Sequence, residues 1–151
     1  MKKIEDDDKF LSLLSSEAFE RLAQNDSDPL RLEEPWKTII LIYSAQGIID
    51  NGGFVYFFEN DWPHFTPYDE FADAYDRIGL NCAAESIRTA VAVMKIEAPE
   101  CSLDARRRYI HKNTIGDRGE VRGWNEDAIL GNETVMPALA SWIRTMKNTK
   151  T

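Results

Sequence analysis

Apolar residues recur at helical spacing along most of the chain, and clusters of Pro, Gly, Asn and Asp cut the pattern into segments. Between Lys9 and Gln24, Phe10, Leu11, Leu14, Ala18 and Leu22 fall near a 3.6-residue period, and Asn25-Asp26-Ser27-Asp28-Pro29 ends the run. Ser15-Ser16 leaves open whether this is one helix or two. Pro35 stands where a first helical residue is expected, since its missing N–H costs nothing there. From Trp36 to Asp50 the chain is at its most apolar, and Ile39, Ile40, Leu41, Ile42 and Tyr43 leave little polar surface on any side, which predicts a central helix buried around most of its circumference. The β-branched residues also suit a strand, but the length without a turn signal favours a helix.

Phe71, Ala74, Tyr75 and Ile78 then follow the i, i+3, i+4, i+7 rule, predicting a helix from Tyr68 to Gly79 with Gly79 as its stop. A further helix is predicted from Asn81, read as its N-cap, to Lys95, with Ile87, Ala90, Val91 and Met94 inward. A shorter one covers Leu103 to Lys112. The last starts near Asn132, carries Pro137 in its first turn and aligns Leu139, Trp142, Ile143 and Met146. Gly116 to Asn125 reads as a loop. The predicted fold is all-α: a single compact multi-helix domain over residues 1–151, built around the apolar helix. No internal repeat, low-complexity tract or Gly/Ser linker signals a second domain.

Composition supports a packed core, because 43% of residues are hydrophobic, with four Trp and seven Phe among 151, a length that buries roughly 70% of the unfolded surface. The charged N-terminus, Met1 to Asp8, lacks the apolar run of a secretory signal, and no segment approaches ~18 apolar residues, so a cytoplasmic protein without membrane contact is expected. Cys82 and Cys101 belong to no CxxC or zinc pattern and are expected as reduced thiols, Cys82 half-hidden on a helix. No metal or cofactor is implied.

Charge changes the picture more. The formal net charge is −8, and it is uneven: residues 1–79 carry 17 acidic and 7 basic side chains, residues 80–151 carry 9 and 11. An acidic first half repels phosphates and suits a basic partner, although acidity also serves solubility alone. No basic residue occurs between Lys37 and Arg77, while Asp50, Glu59, Asp61, Asp69, Glu70, Asp73 and Asp76 do. On a wheel of about 100° per residue, Asp69, Asp73 and Asp76 fall within a sector of roughly 60° opposite the apolar stripe of their helix. They would project together into solvent, unneutralised by the later arginines. Asp69 and Glu70 also suit a helix N-terminus, and Arg77 can pair with Asp73, so a plain solvated face is the competing reading.

The most distinctive segment is Asp50-Asn51-Gly52-Gly53-Phe54-Val55-Tyr56-Phe57-Phe58-Glu59-Asn60. Asn51-Gly52 could close a hairpin; the rival is a helix end followed by a Gly-Gly turn into a short aromatic helix. In either case Phe54, Tyr56, Phe57 and Phe58 cannot all face water. With Ile78-Gly79 and Ala83-Ala84, the residues Asp50, Asn51, Gly52, Gly53, Phe54, Phe57, Phe58 and Asn60 resemble the signature of a bacterial domain family, mostly of unassigned function, that includes a Neisserial DNA-mimic protein. The resemblance is best over about residues 35–95. It implies an all-helical domain in which the Asn-Gly-Gly-Phe turn is internal scaffolding, and so disfavours the hairpin. It also implies carboxylates presented where DNA presents phosphates.

Other features point less far. Arg106-Arg107-Arg108 with Tyr109, His111 and Lys112 could hold an anion, but consecutive arginines diverge on a helix and are read as rim charges that pair with the acidic half. The glycines of Gly116–Gly123 match no phosphate-binding fingerprint. The function expected is therefore a non-enzymatic binding module whose acidic face, Asp61, Asp69, Glu70, Asp73 and Asp76, engages a basic protein, in the mimic reading a nucleic-acid-binding protein that it blocks. The alternatives are an immunity or antitoxin-like inhibitor of a toxin enzyme, and an enzyme using Asp50 or His64 in a cleft. Direct binding of nucleic acid is not expected.

Overall fold

The computed structural model describes residues 2–117 and 119–149. Its helices are α1 (Lys2–Gln24), α2 (Trp36–Glu59), α3 (Tyr68–Arg77), α4 (Asn81–Met94), α5 (Leu103–Asn113) and α6 (Asn132–Thr149). The fold is all-α, as the periodicity predicts. Single turns of 3-10 helix follow Pro29, Pro63 and Pro99, where proline presets the required φ. The 116–125 stretch is not wholly a loop: β1 (Thr114–Ile115) and β2 (Glu120–Val121) pair antiparallel, with Thr114 opposite Val121. Val121 is buried, which pins this small hairpin to the helical core.

Ser15-Ser16 does not break α1, because the Ser15 hydroxyl donates to the Ser12 carbonyl within the same turn. Pro35 sits at the N-cap position of α2, one residue before the helix proper. Gly79 ends α3 at φ +87°, which lets the Leu80 N–H reach back to the Tyr75 carbonyl at 2.9 Å. Asn81 is the first residue of α4 and does not cap it: its amide donates instead to Asp76 at 2.8 Å, and Leu80 holds the cap position.

Helix α2 runs through the centre, against α1 on one side and α3 and α5 on others, while α3 packs on α4 and α1 on α6. Ile39, Ile40, Leu41 and Ile42 are all buried, as a helix without a polar face must be when neighbours surround it. The helix extends nine residues beyond the predicted end at Asp50, bending at Gly52 and Gly53, whose φ/ψ are non-helical. Its aromatic half buries Phe54, Phe57 and Phe58 among Tyr68, Phe71 and Trp124, with ring centroids 4.9–6.1 Å apart in several of these contacts. Tyr56 faces outward. At the other end of the molecule Asp7, buried in α1, pairs with Arg144 of α6, whose guanidinium also lies 4.3 Å from the Phe10 ring centroid.

One arginine was misplaced by the sequence reading. Arg106 of α5 is no rim charge: it is 0% exposed. Its guanidinium donates to the carbonyls of Phe58 at 2.6 Å, Pro99 at 2.6 Å and Asn60 at 3.3 Å, and to the Asp61 carboxylate at 2.7 Å. A planar fork of donors thus closes the C-terminal end of α2, where orphan carbonyls concentrate negative charge. Arg107 and Arg108 are exposed, as diverging side chains on one helix require.

Removing this fork leaves several carbonyls without donors in a dry site, so R106A is expected to lower unfolding free energy by at least about 3 kcal/mol. R106K should recover only part of it, since one ammonium cannot reach divergent acceptors. Urea denaturation of both variants checks this.

Candidate binding surface

The outward side of α3 carries the residues the wheel put there. Phe71, Ala74, Tyr75 and Ile78 are buried, whereas Asp69 and Asp73 are exposed and Asp76 is partly so. The expectation that these carboxylates stand unneutralised is corrected: Arg88, one helix later, lies 2.7 Å from both Asp73 and Asp76. Helix α3 packs on α4, which brings position 88 beside positions 73 and 76. Hydrogen bonds from Asn81 and Arg88 hold the Asp76 carboxyl below its ordinary pKa, and the two carboxylates raise that of Arg88. Arg77 does not pair with Asp73; it turns to Glu34 and the Thr38 hydroxyl.

The other acidic candidates also have partners. Asp61 binds Arg106, and Glu70 lies 3.9 Å from Lys37. Four of the five carboxylates therefore meet three cations, and Asp69 alone of the five has no ion pair among the described residues. Sequence reasoning missed Glu100, which lies 32 positions beyond Tyr68 and accepts its N–H at 3.2 Å, capping α3 where Pro67 offers no side-chain cap. No spacing rule reveals a partner supplied by so distant a loop.

The Asp50–Asn60 segment is a bend in a helix rather than a hairpin. Gly53 has φ +65° and ψ −159°, a region that residues with a Cβ avoid. A Cβ there would also lie 2.1 Å from Oε2 of Glu126. The same carboxylate accepts the Phe54 N–H at 3.2 Å, one of the donors that the break frees. Asp50 accepts from Gln46 and from the Gly131 N–H, both at 2.8 Å. Gln46 is buried, donates to the Ile129 carbonyl and accepts from the Tyr75 hydroxyl, whose pKa burial pushes far up so that it stays a donor. Asn51 is exposed, and its amide donates to the Gly47 carbonyl in the preceding turn. Asp50 and Glu126 thus tie the 126–131 segment to α2 on either side of the break.

The family described as DMP19-like protein matches residues 30–146. The chain belongs to the DMP19-like family. The match reaches well past residues 35–95, so the loops and helices that clasp α2 share in the DMP19-like pattern. No curated protein and no solved structure matches the chain.

Within this DMP19-like chain Asp50 and His64 each have hydrogen-bond partners. Asp50 holds the loop as described, and His64 sets one ring nitrogen 2.6 Å from the Asp26 carbonyl in an exposed turn. Cys82 is exposed rather than half-hidden, because position 82 opens α4 on its outer side; Cys101 is exposed as well, and both are free thiols. No helix among the described residues is long and apolar enough to cross a membrane.

Burial raises the pKa of Glu126, with the Phe54 N–H opposing it. A carboxyl whose pKa is raised by folding opposes stability when ionised, and that penalty vanishes as pH falls through the raised value. E126Q keeps an acceptor for Phe54 without the charge, so it should be at least as stable as the parent at pH 7, with the gap closing in acid. E126A strands the Phe54 N–H and should lose about 1–2 kcal/mol at pH 7. Thermal melts from pH 4 to 7 separate the two.

Proposed function

We propose that this member of the DMP19-like family is a non-enzymatic module that engages a basic protein through its acidic surface, and that the partner is a nucleic-acid-binding protein which it occupies in place of DNA. The observation that carries this reading is the family match over residues 30–146, joined to a net charge of −8. Asp69, Asp73 and Asp76 supply the geometry. At about 1.5 Å rise per residue their stripe places one charge every ~5 Å along α3, sparser than the ~3.4 Å of a single DNA strand.

Arg88 tempers this surface without removing it. Exposed ion pairs are worth only about 0–1 kcal/mol, so an arginine or lysine of a partner can take Arg88's place at small cost. The reading also explains why a fold whose central helix is almost wholly apolar keeps so many carboxylates on its first half. Asp50 is engaged in positioning the 126–131 loop and His64 in a turn contact with Asp26, which favours binding over catalysis.

The test is a pull-down from lysate at low and high salt, read by mass spectrometry. A basic nucleic-acid-binding protein should be retained at low salt and released at high salt. D69N/D73N/D76N should weaken capture about 3- to 13-fold, from three charges at about 0.2–0.5 kcal/mol each. R88A, which uncovers two carboxylates, should strengthen it. Retention of one enzyme that binds no nucleic acid would instead favour the inhibitor reading, and unchanged capture by the triple variant would remove the α3 stripe from the account.

A further inference from the structure

Beside the break in α2 lies a cleft of about 710 Å³, lined by Gly52 and Gly53 and by the 119–127 segment. Its volume is that of a site for a sizeable group. The family's glycine pair therefore does two things at once. It bends the helix, and its missing side chains leave room for the Tyr56 ring and the Glu126 carboxylate to lie against the backbone.

Two features of the lining point to one kind of occupant. Ile115 and Leu130, respectively 43% and 48% exposed, stand on its wall together with Val55, an apolar surface with no described cover. Glu126, which also lines the cleft, is half-buried; its carboxylate takes a single described hydrogen bond, from Phe54, and has no ion pair among the described residues. A carboxylate withdrawn from water in this way gains most from a cation that reaches it. Glu120 and Asp127 add negative charge to the same walls, against Arg122. An apolar approach leading to a partly dehydrated carboxylate matches an amphipathic cation, whose aliphatic stem lies along the wall while its head meets the charge. A guanidinium suits it best, being weakly hydrated and able to pair in a forked geometry.

We propose that this cavity receives an arginine side chain of the protein partner. The proposal rests on the reading that the partner is basic, and it adds a site about which the acidic stripe of α3 says nothing. Glu126 of the cavity and the α3 carboxylates would then be two separate contacts, one half-buried and specific, one exposed and salt-sensitive.

The probe is N-acetyl-arginine methyl ester, with N-acetyl-citrulline methyl ester as its uncharged counterpart, titrated into the full-length protein labelled with nitrogen-15. Saturable shifts of the Gly53, Phe54 and Gly123 amides and the Trp124 indole N–H are expected with arginine and not with citrulline. E126Q should weaken the arginine response tenfold or more, while D73N leaves it unchanged. No shift at these four positions, an equal response to citrulline, or an unaltered response in E126Q would overturn the proposal. The two readings fail separately: salt-sensitive capture of a basic protein with a silent cavity removes the cavity alone, whereas arginine shifts without any captured basic protein uphold the site and remove the partner reading.

Discussion

The φ of +65° at Gly53 is the constraint on which the rest of the structure depends. An unbroken α2 would carry its last turns in the direction set by Trp36 to Asn51, and Phe54, Phe57 and Phe58 would face different neighbours. With the break, those rings enter the space between Tyr68, Phe71 and Trp124. A bend in the middle of a helix frees backbone groups from their intrahelical partners, and the half-buried ones need others. Glu126 supplies one to Phe54, from 72 positions away. Arg106 then closes the far end of the same helix on three carbonyls and Asp61. The chain after residue 95 can be seen as the set of loops and helices that satisfies what the bent α2 leaves open.

That arrangement also explains the unequal fate of the charges. Acidic residues of the first half outnumber basic ones in sequence, yet α5, α4 and α6 return arginines to them: Arg106 to Asp61, Arg88 to Asp73 and Asp76, Arg144 to Asp7. These pairs differ in kind. Arg106 is fully buried and its contacts hold the fold, whereas Arg88 lies on an open surface where its pairing is weak and exchangeable. The acidic surface of a binding module is thus better judged by which pairs a partner can displace than by net charge. The proposed substitution of α3 carboxylates for phosphates requires a partner's own cations to win over Arg88.

Helix positions were legible because burial imposes a 3.6-residue period, and α3 and α4 fall within two residues of their predicted ends. The outward direction of Asp69, Asp73 and Asp76 was legible for the same reason. What escaped were contacts between elements far apart in sequence. Arg106 shares one face of α5 with Leu103 and Ile110, at i, i+3 and i+7 spacing, whereas Arg107 only borders that face and Arg108 lies off it. The period therefore marks Arg106 as inward, while its partners at the α2 terminus are visible only in the structure. Asn81 has the residue type of an N-cap, but the helix begins one residue earlier than that role requires, and the Asn81 amide donates to the neighbouring Asp76 carboxylate. The resemblance at Asp50–Asn60 settled the bend against the hairpin, since Asn-Gly satisfies either geometry. It gave no hint of Glu126, whose packing against Gly53 is visible only in three dimensions.

Two glycines six residues apart on one helix offer the most direct test of the claim that the signature is a backbone device. Gly47 is an ordinary helical position at which an added Cβ meets nothing within 4 Å, whereas at Gly53 the Cβ faces both a positive φ and the Glu126 carboxylate. Chemical denaturation of G47A and G53A should therefore give opposite signs: a gain of about 0.5–1 kcal/mol for G47A, and a loss of about 1–3 kcal/mol or more for G53A. If G53A proves as stable as G47A, the break is not imposed by that backbone geometry, and the account of how α2, the aromatic cluster and the adjoining cavity are formed is contradicted.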